Sequence, residues 1–551
     1  MGGSSSTANP SSAEQREQES LASASLALPL LRAVFSRASD LPHTLSLPPA
    51  SFRSASPSDL PPHFHDLLAA LGPTIASLFF SPAGDGDWLA FLRGFNACCA
   101  RARASLPLAQ LLRVYAAACA AAGAPCGVRF EGDVDADGKL VGQLAPGEVA
   151  VLLWMCWAMA WSGLAPKDSE GAKGEAPVLL PDVSHLVLSA LVSAGAVADD
   201  AGVWGWEVSG AAGKGVTVQE FTSWVISTVP GLGNCLSRYV HDRFRSCEAD
   251  PVKERSVSDG NTTSDTPPSA GNPTSDTSSA GNPTSGTSDV YLLTRGRAWA
   301  ISLSVRNALS EKFLSASVIG MDAEDLLYRS SADGRGLSRF WSCVEGYKGP
   351  TLILLSAFSN GGGENVDADQ RWGIGILTEQ GFENKDKFYG SSGSLCATYP
   401  IFRMLMPSGT EKNIMYCHLH TLLKTYEAKP KPLGLAFGGS IGNERIFIDE
   451  DFSKVTVRHH AVDKTYQHGS LIPNQGYLPV VASILGVEVW GLGGQTAKHQ
   501  QDVYKKREDI FSGQRRKVLL RANSNPPLQC IAAVLNCLIV HNSPAFFFLS
   551  D

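Results

Sequence analysis

The sequence predicts a multidomain chain: an α-helical, degenerate EF-hand-like N-terminal domain, then an antiparallel β-sandwich with surface helices. Three observations predict it. At 551 residues the chain is too long for one ordinary core. Up to about Arg245 it is rich in alanine and leucine, with apolar residues at three- and four-residue spacing. After Val290 the texture changes to short β-rich runs punctuated by Gly, Asn, Asp and Pro.

Residues 1–19 read as a disordered N-terminus. The start, Met1-Gly2-Gly3-Ser4-Ser5-Ser6, has no apolar signal-peptide region and fits the myristoylation pattern, so Gly2 is the expected lipidation site. Residues 20–245 read as the helical domain, on runs such as Leu89-Phe91-Leu92-Phe95 and Leu108-Leu111-Leu112-Tyr115. Pro/Ser-rich and Gly/Lys-rich loops interrupt it at residues 41–62 and 166–181. Residues 149–165, with Trp154, Trp157 and Trp161, only just reach membrane-spanning length and read better as a buried core helix.

Two segments of this domain carry EF-hand features. Asp133-Val134-Asp135-Ala136-Asp137-Gly138-Lys139-Leu140 has carboxylates at loop positions 1, 3 and 5 and the turn glycine at 6. Asp133, Asp135 and Asp137 are therefore candidate calcium ligands. Position 12, which should be Glu, is Leu144, and Glu148 comes four residues late. Further on, Glu220 falls at position 12 and Val216 at position 8 of a second loop, whose front positions are Ser209, Ala211 and Gly213. One loop keeps the front ligands and the other the back one. The pair reads as a retained scaffold binding calcium weakly or not at all, and no other cofactor is expected.

Residues 246–289 read as a linker, because Ser, Thr, Gly, Asn and Pro cannot bury a core. Residues 269–278 are nearly repeated at 279–288, as in a tether that tolerates length change. Such a flexible segment spans roughly 35–40 Å root-mean-square, enough to let the two halves separate. Residues 290–520 read as the β domain. Strands are expected on Thr351-Leu352-Ile353-Leu354-Leu355, Arg371-Trp372-Gly373-Ile374-Gly375-Ile376-Leu377, Arg445-Ile446-Phe447-Ile448 and Val487-Glu488-Val489-Trp490, and helices at 305–313, 337–345 and 479–484.

The net charge of −7 argues against general nucleic-acid binding, although Lys505-Lys506-Arg507 and Arg515-Arg516-Lys517 form a local basic run. Twelve cysteines include no CxxC pair, so zinc spacing is absent and reduced thiols are expected. Gly491-Leu492-Gly493-Gly494 follows a strand and precedes a helix but lacks the third fingerprint glycine, so it reads as a sharp turn. Cys417, His418, His420, His459 and His460 make no complete metal set. Ser440 sits in a GxSxG pattern, yet a strand follows where a nucleophile elbow needs a helix. No catalytic residue emerges.

Several runs resemble one family in its order. They are residues 337–352 (Leu-Ser-Arg-Phe-Trp-Ser-Cys-Val-Glu-Gly-Tyr-Lys-Gly-Pro-Thr-Leu), Gly434-Leu435-Ala436-Phe437-Gly438-Gly439-Ser440, Ile446 to Phe452, Thr465-Tyr466, Gly469-Ser470-Leu471, and Glu488 to Gly494. They resemble the TLDc domain. The resemblance implies a β-sandwich with surface helices, protection against oxidative damage, and binding to the vacuolar-type proton ATPase; no established catalytic residues transfer. The whole arrangement resembles the fungal restriction-of-telomere-capping type 5 proteins and their plant relatives. It implies a cytoplasmic protein, peripheral on an endomembrane, held by the lipid on Gly2. A calcium-responsive membrane protein and an antioxidant enzyme using Cys343, Cys396 or Cys417 are the alternatives. After Leu520 the chain departs from the family's acidic segment, and residues 521–551 read as an atypical, disordered tail.

Overall fold

The computed structural model describes residues 10–48, 50–54, 60–80, 87–99, 105–131, 139–164, 177–208, 215–249, 291–359, 370–411, 415–418 and 433–523. The N-terminal half contains α1 (Pro10–Ser23), α2 (Leu28–Ser36), α3 (Leu41–Thr44), β1 (Phe52–Arg53), α4 (Phe64–Ser77), α5 (Trp88–Cys99), α6 (Ser105–Ala122), β2 (Val128–Glu131) and β3 (Lys139–Leu144). It continues with α7 (Pro146–Leu164), β4 (Val178–Leu179), α8 (Ser184–Ser193), β5 (Val216–Thr217), α9 (Val218–Thr228) and α10 (Cys235–Ala249). α7 is the expected core helix: every residue from Val149 to Met159 is buried. It is also the one described helix long and apolar enough to cross a membrane, by length and composition alone.

Residues 10–19 were expected to be disordered, but α1 is a helix. Its sequence carries no apolar stripe. It is held by polar groups of α5: Arg93 binds Glu14, Asn96 donates to Gln18, and Trp88 Nε1 donates to Glu19 at 2.8 Å. α10 likewise runs four residues into the expected linker, to Ala249. Gly2 and the repeats of 269–288 lie outside the described residues.

The C-terminal half has α11 (Arg295–Ser304), α12 (Asn307–Val318), β6 (Leu326–Arg329), α13 (Ser330–Asp333), α14 (Leu337–Val344), β7 (Thr351–Ser359), β8 (Gln370–Thr378), β9 (Ser394–Tyr399) and β10 (Arg403–Leu405). Then come β11 (Met415–His418), β12 (Gly434–Ser440), β13 (Asn443–Asp449), β14 (Lys454–Val457), β15 (Val480–Gly491) and α15 (Gly494–Asn523). The expected helix at 479–484 is strand instead, the start of β15. Its alternation of exposed Val481 with buried Ala482 and Ile484 has the period of a strand. α15 covers residues 521–523 of the expected tail; the remainder of that tail lies outside the described residues.

The strands form one ten-stranded antiparallel sheet in the order β10-β9-β8-β7-β15-β14-β13-β12-β11, with β6 also pairing to β15. β15 is long and bulged between Ile484 and Gly486, and both halves of the sheet hang from it. Alternate residues from the two halves, among them Ile353, Leu355, Ile374, Phe437, Ile446 and Val455, bury in a common core.

β7 is buried on both faces. Ile353 and Leu355 enter that core, while Leu352 and Leu354 point the other way. With Leu377, Cys396 and Trp490, these two join a second apolar cluster that includes Trp299 of α11 and Trp154 and Trp157 of α7. The two halves therefore share a core. This overturns the expectation of a tethered, separable β domain: the sheet's second face is too apolar to stand in water, and the helical half covers it. α11 packs closely there, since a Cβ on Gly296 would lie 2.0 Å from the Asp182 carbonyl oxygen.

Candidate functional site

The small sheet of the helical half sets the geometry of the paired loops. β3 meets β5 at Gln143↔Thr217 and Leu144↔Val216. Each strand runs straight into a helix, β3 into α7 and β5 into α9. Four residues beyond each bridged apolar residue stands a glutamate, Glu148 or Glu220. Glu148 accepts from Ala145 N at 2.7 Å and Gly127 N at 2.9 Å. Glu220 accepts from Thr217 N at 2.9 Å and completes a capping box with the Thr217 hydroxyl.

If the bridged residues are taken as position 8 of paired loops, both glutamates occupy position 12. That count differs from the one that begins at Asp133. The acidic run Asp133-x-Asp135-x-Asp137-Gly138 fixes a frame by composition, whereas the pairing is fixed by burial of Leu144, which is fully buried; Leu140 is not. Counting back from Leu144 puts Asp137, Lys139 and Val141 at positions 1, 3 and 5. One carboxylate and one ammonium make a poor cation cradle, and both closing glutamates already accept backbone amides. Asp133, Asp135 and Asp137 themselves lie outside the described residues.

The junction between the halves is a polar lock inside the apolar contact. The Phe402 backbone is satisfied by α8: its N–H donates to the His185 carbonyl at 3.0 Å, and its carbonyl accepts from the Ser189 hydroxyl at 2.6 Å. Ser189 Oγ in turn accepts from Trp224 Nε1 of α9 at 2.9 Å. Beside it, Arg403 pairs with Asp199 at 2.6 Å. Burial pushes the His185 imidazole below its ordinary range, against the opposing pull of Asp182.

In the C-terminal half the motif residues converge on one buried ion pair. The fully buried Arg445 on β13 binds Asp463 and the Gly469 carbonyl. Asp463 also accepts from Thr465 N at 2.8 Å, Thr465 Oγ1 at 2.6 Å and Tyr466 N at 3.2 Å. Thr465 Oγ1 accepts from Gly439 N at 3.0 Å. One knot thus joins the end of β12, the start of β13 and the 463–469 loop. Beyond the far end of β13, Phe452 takes the left-handed region (φ 54°), which seats its ring against Tyr328 and Phe340.

Residues 304–493 match the TLDc domain family. That region is TLDc-like. None of the curated proteins matches the chain. The match spans α12 to β15, so α11 lies almost wholly outside it, and its Trp299 buries with the helical half.

Within the TLDc domain the chemically suggestive residues have structural partners. Ser440 ends β12 and pairs with Asn443 across a two-residue turn, a strand-turn-strand arrangement. A sharp turn at Gly491-Leu492-Gly493-Gly494 calls for glycines that adopt positive φ. Gly494 does, but Gly491 and Gly493 do not. Gly491 is small because the Tyr347 ring lies on it, where a Cβ would sit 2.7 Å from Tyr347 Cζ; at Gly493 a Cβ would sit 2.7 Å from Ala497 Cβ. The Tyr347 hydroxyl accepts from Gly493 N at 2.7 Å, which occupies an amide that a phosphate would need.

His459 stacks on Tyr477 and lies tilted against His468, and His460 lies 3.8 Å from Asp463. Among the described residues no group of three His, Cys, Asp or Glu could hold a metal, and His420 lies outside them. Cys417 is buried and accepts from Trp341 Nε1 at 3.1 Å, and Cys396 is buried against Gly375. Burial pushes both thiols up to about 12, far from thiolate formation. The Cys343 carbonyl anchors α15 by accepting from Gln501 at 2.8 Å and Lys505 at 2.9 Å.

Proposed function

We propose that this protein is a non-enzymatic TLDc adaptor or regulator at an endomembrane, which binds the vacuolar-type proton ATPase and contributes to protection against oxidative damage. The observation that carries the reading is the TLDc match across the sheet, a family associated with regulation and oxidative stress. The chemistry of that domain supports it: the motif residues are spent on turns and on a buried ion pair, and the Cys396 and Cys417 thiols are held away from reactivity. A β-sandwich built from the two halves of the sheet fits the shared core. A myristoyl chain on Gly2 supplies the membrane anchor from the cytoplasmic side. Since a single chain binds on the order of 10⁴ M⁻¹, a protein contact completes the attachment.

The test uses the full chain, because the TLDc sheet shares its core with the helical half. Tagged protein and its Gly2→Ala variant are purified from eukaryotic membranes, and pump subunits are quantified. Cytosolic-sector subunits should accompany the wild type and fall several-fold with Gly2→Ala. Absence of pump subunits from both, combined with catalytic peroxide consumption lost in Cys343→Ser, replaces this reading with an antioxidant enzyme. The bridge between Leu144 and Val216 favours a second reading, an EF-hand-like pair that makes the protein calcium-responsive. A micromolar calcium site in the full chain is its signature.

A further inference from the structure

A thiol pair in the helical half stands apart from everything above. α6 ends in a tight reversal: Gly123 adopts φ 65°, Gly123 N bonds to Ala120 O, and Ala124 N bonds to Cys119 O at 2.9 Å. This is a Schellman-type stop, and it turns the chain back along its own last turn. Pro125 follows, and Cys126 then lies against Cys119, thiol to thiol in hydrogen-bond contact. The two differ in access. Cys119 is buried, whereas Cys126 is partly exposed. Beside them opens an apolar cavity of about 310 Å³, lined among others by Tyr115, Cys119, Ala124, Pro125 and Glu148.

We propose that Cys126 and Cys119 form a reversible redox pair, in which hydrogen peroxide oxidises Cys126 and Cys119 resolves it to an intramolecular disulfide. The Cys126 thiolate attacks the peroxide; an S–O bond forms, the O–O bond breaks, and Cys126 sulfenic acid and one water result. The Cys119 sulfur then attacks Cys126 Sγ; the S–S bond forms, the S–O bond breaks, and hydroxide leaves with the Cys119 proton as a second water. Two thiols lose two electrons and two protons, and the peroxide becomes two waters. A cellular thiol reductant reverses the bond by exchange.

The division of labour follows from the environment. The hydrogen bond from Cys119 holds the Cys126 thiol below its ordinary value, with burial acting against it. The same contact, with burial and the nearby Glu148 charge, pushes Cys119 upward. The more accessible sulfur is thus also the readier thiolate, as a sensing thiol with a resolving partner requires. The disulfide would tie the end of α6 to the approach of β2. Because β2 pairs with β3, and β3 bridges to β5, the bond sits where it stiffens the paired loops.

The test treats full-length reduced protein with hydrogen peroxide, blocks free thiols, and maps peptides without reduction. The expected product is a Cys119–Cys126 linked peptide, lighter by two hydrogens and restored by dithiothreitol. Cys119→Ser should stop at the sulfenic acid, and dimedone should label Cys126 in it several-fold more than any other cysteine. Cys126→Ser should give no linked peptide and no dimedone label at Cys119. Because Cys126 is not in the core, this variant keeps the test valid if Cys119→Ser fails to fold. Absence of the linked peptide in folded wild type overturns the proposal. So does a Cys126 that reacts no faster than the buried thiols Cys396 and Cys417.

Discussion

Replacing Ser189 with alanine tests whether the two halves are one cooperative body. The hydroxyl is buried and serves two partners: it accepts from Trp224 Nε1 at 2.9 Å and donates to the Phe402 carbonyl at 2.6 Å. Ser189→Ala leaves the volume nearly unchanged and orphans both. An unsatisfied buried group costs about 1–3 kcal/mol, and carbonyls tolerate the loss better than donors. The indole N–H should therefore contribute about 2 kcal/mol and the carbonyl about 1, for a total near 3 kcal/mol. Urea unfolding followed by tryptophan fluorescence and by far-ultraviolet circular dichroism reads it out. Both probes should give one coincident transition, displaced to lower urea with an unchanged slope. In a double-mutant cycle, Trp224→Phe should make the serine substitution cheaper, because one orphan is already gone. A loss under about 0.5 kcal/mol, or two transitions with only the helical one displaced, refutes the lock.

Acidification should weaken the same junction. Burial lowers the folded-state pKa of His185 to about 4, against about 6.5 unfolded, so the unfolded chain binds the extra proton between those values. The stability present above pH 6.5 is lost as pH falls through the folded value, on the order of 1–2 kcal/mol by pH 5. His185→Gln should flatten that dependence in unfolding curves recorded from pH 7 to 5; parallel curves for the two proteins contradict it. Calorimetric titration of the full chain with calcium should show nothing tighter than roughly 10⁻⁴–10⁻³ M, and a micromolar site abolished by Asp137→Ala would show the loops to be intact. Gly2→Ala should move the protein to the soluble fraction in eukaryotic cells, and intact-mass measurement of the wild type should carry the added myristoyl mass; an unmodified N-terminus rejects this.

Much of the C-terminal architecture was legible because strands announce themselves locally. The runs at 351–355, 371–377, 445–448 and 487–490 all lie in strands of the sheet. The stretch 479–484 reads as helix in the sequence because its four apolar residues, one serine and one proline give no clear period. The docking of the halves was also written in the sequence, in the unbroken apolar run of β7: a strand with one wet face alternates, and one covered on both sides does not. What stayed hidden depends on partners distant in sequence. α1 is helical because residues of α5 hold its Glu14, Gln18 and Glu19. Which residue meets Val216 depends on the bridge at Leu144, and the acidic run at Asp133 carries no sign of it. Gly491 answers to the Tyr347 ring, about 145 residues away in the chain, and Gly493 to Ala497 and Gly349. The knot at Arg445 and Asp463 was visible only as motif blocks, with no sign that one ion pair joins them.

The docking of α1 fixes a distance as well as a fold. Its first residue, Pro10, begins a helix clamped to α5, and Gly2 lies eight residues upstream. Fully extended, eight residues reach at most about 29 Å. Whatever is joined to Gly2 therefore stays within that radius of one defined point on the helical half. Since the TLDc sheet is packed against that half, the whole body can pivot about the attachment point but cannot extend away from it. A surface holding the N-terminus would meet the protein as a short-moored rigid object, and the same few faces would always be turned towards the surface's neighbours.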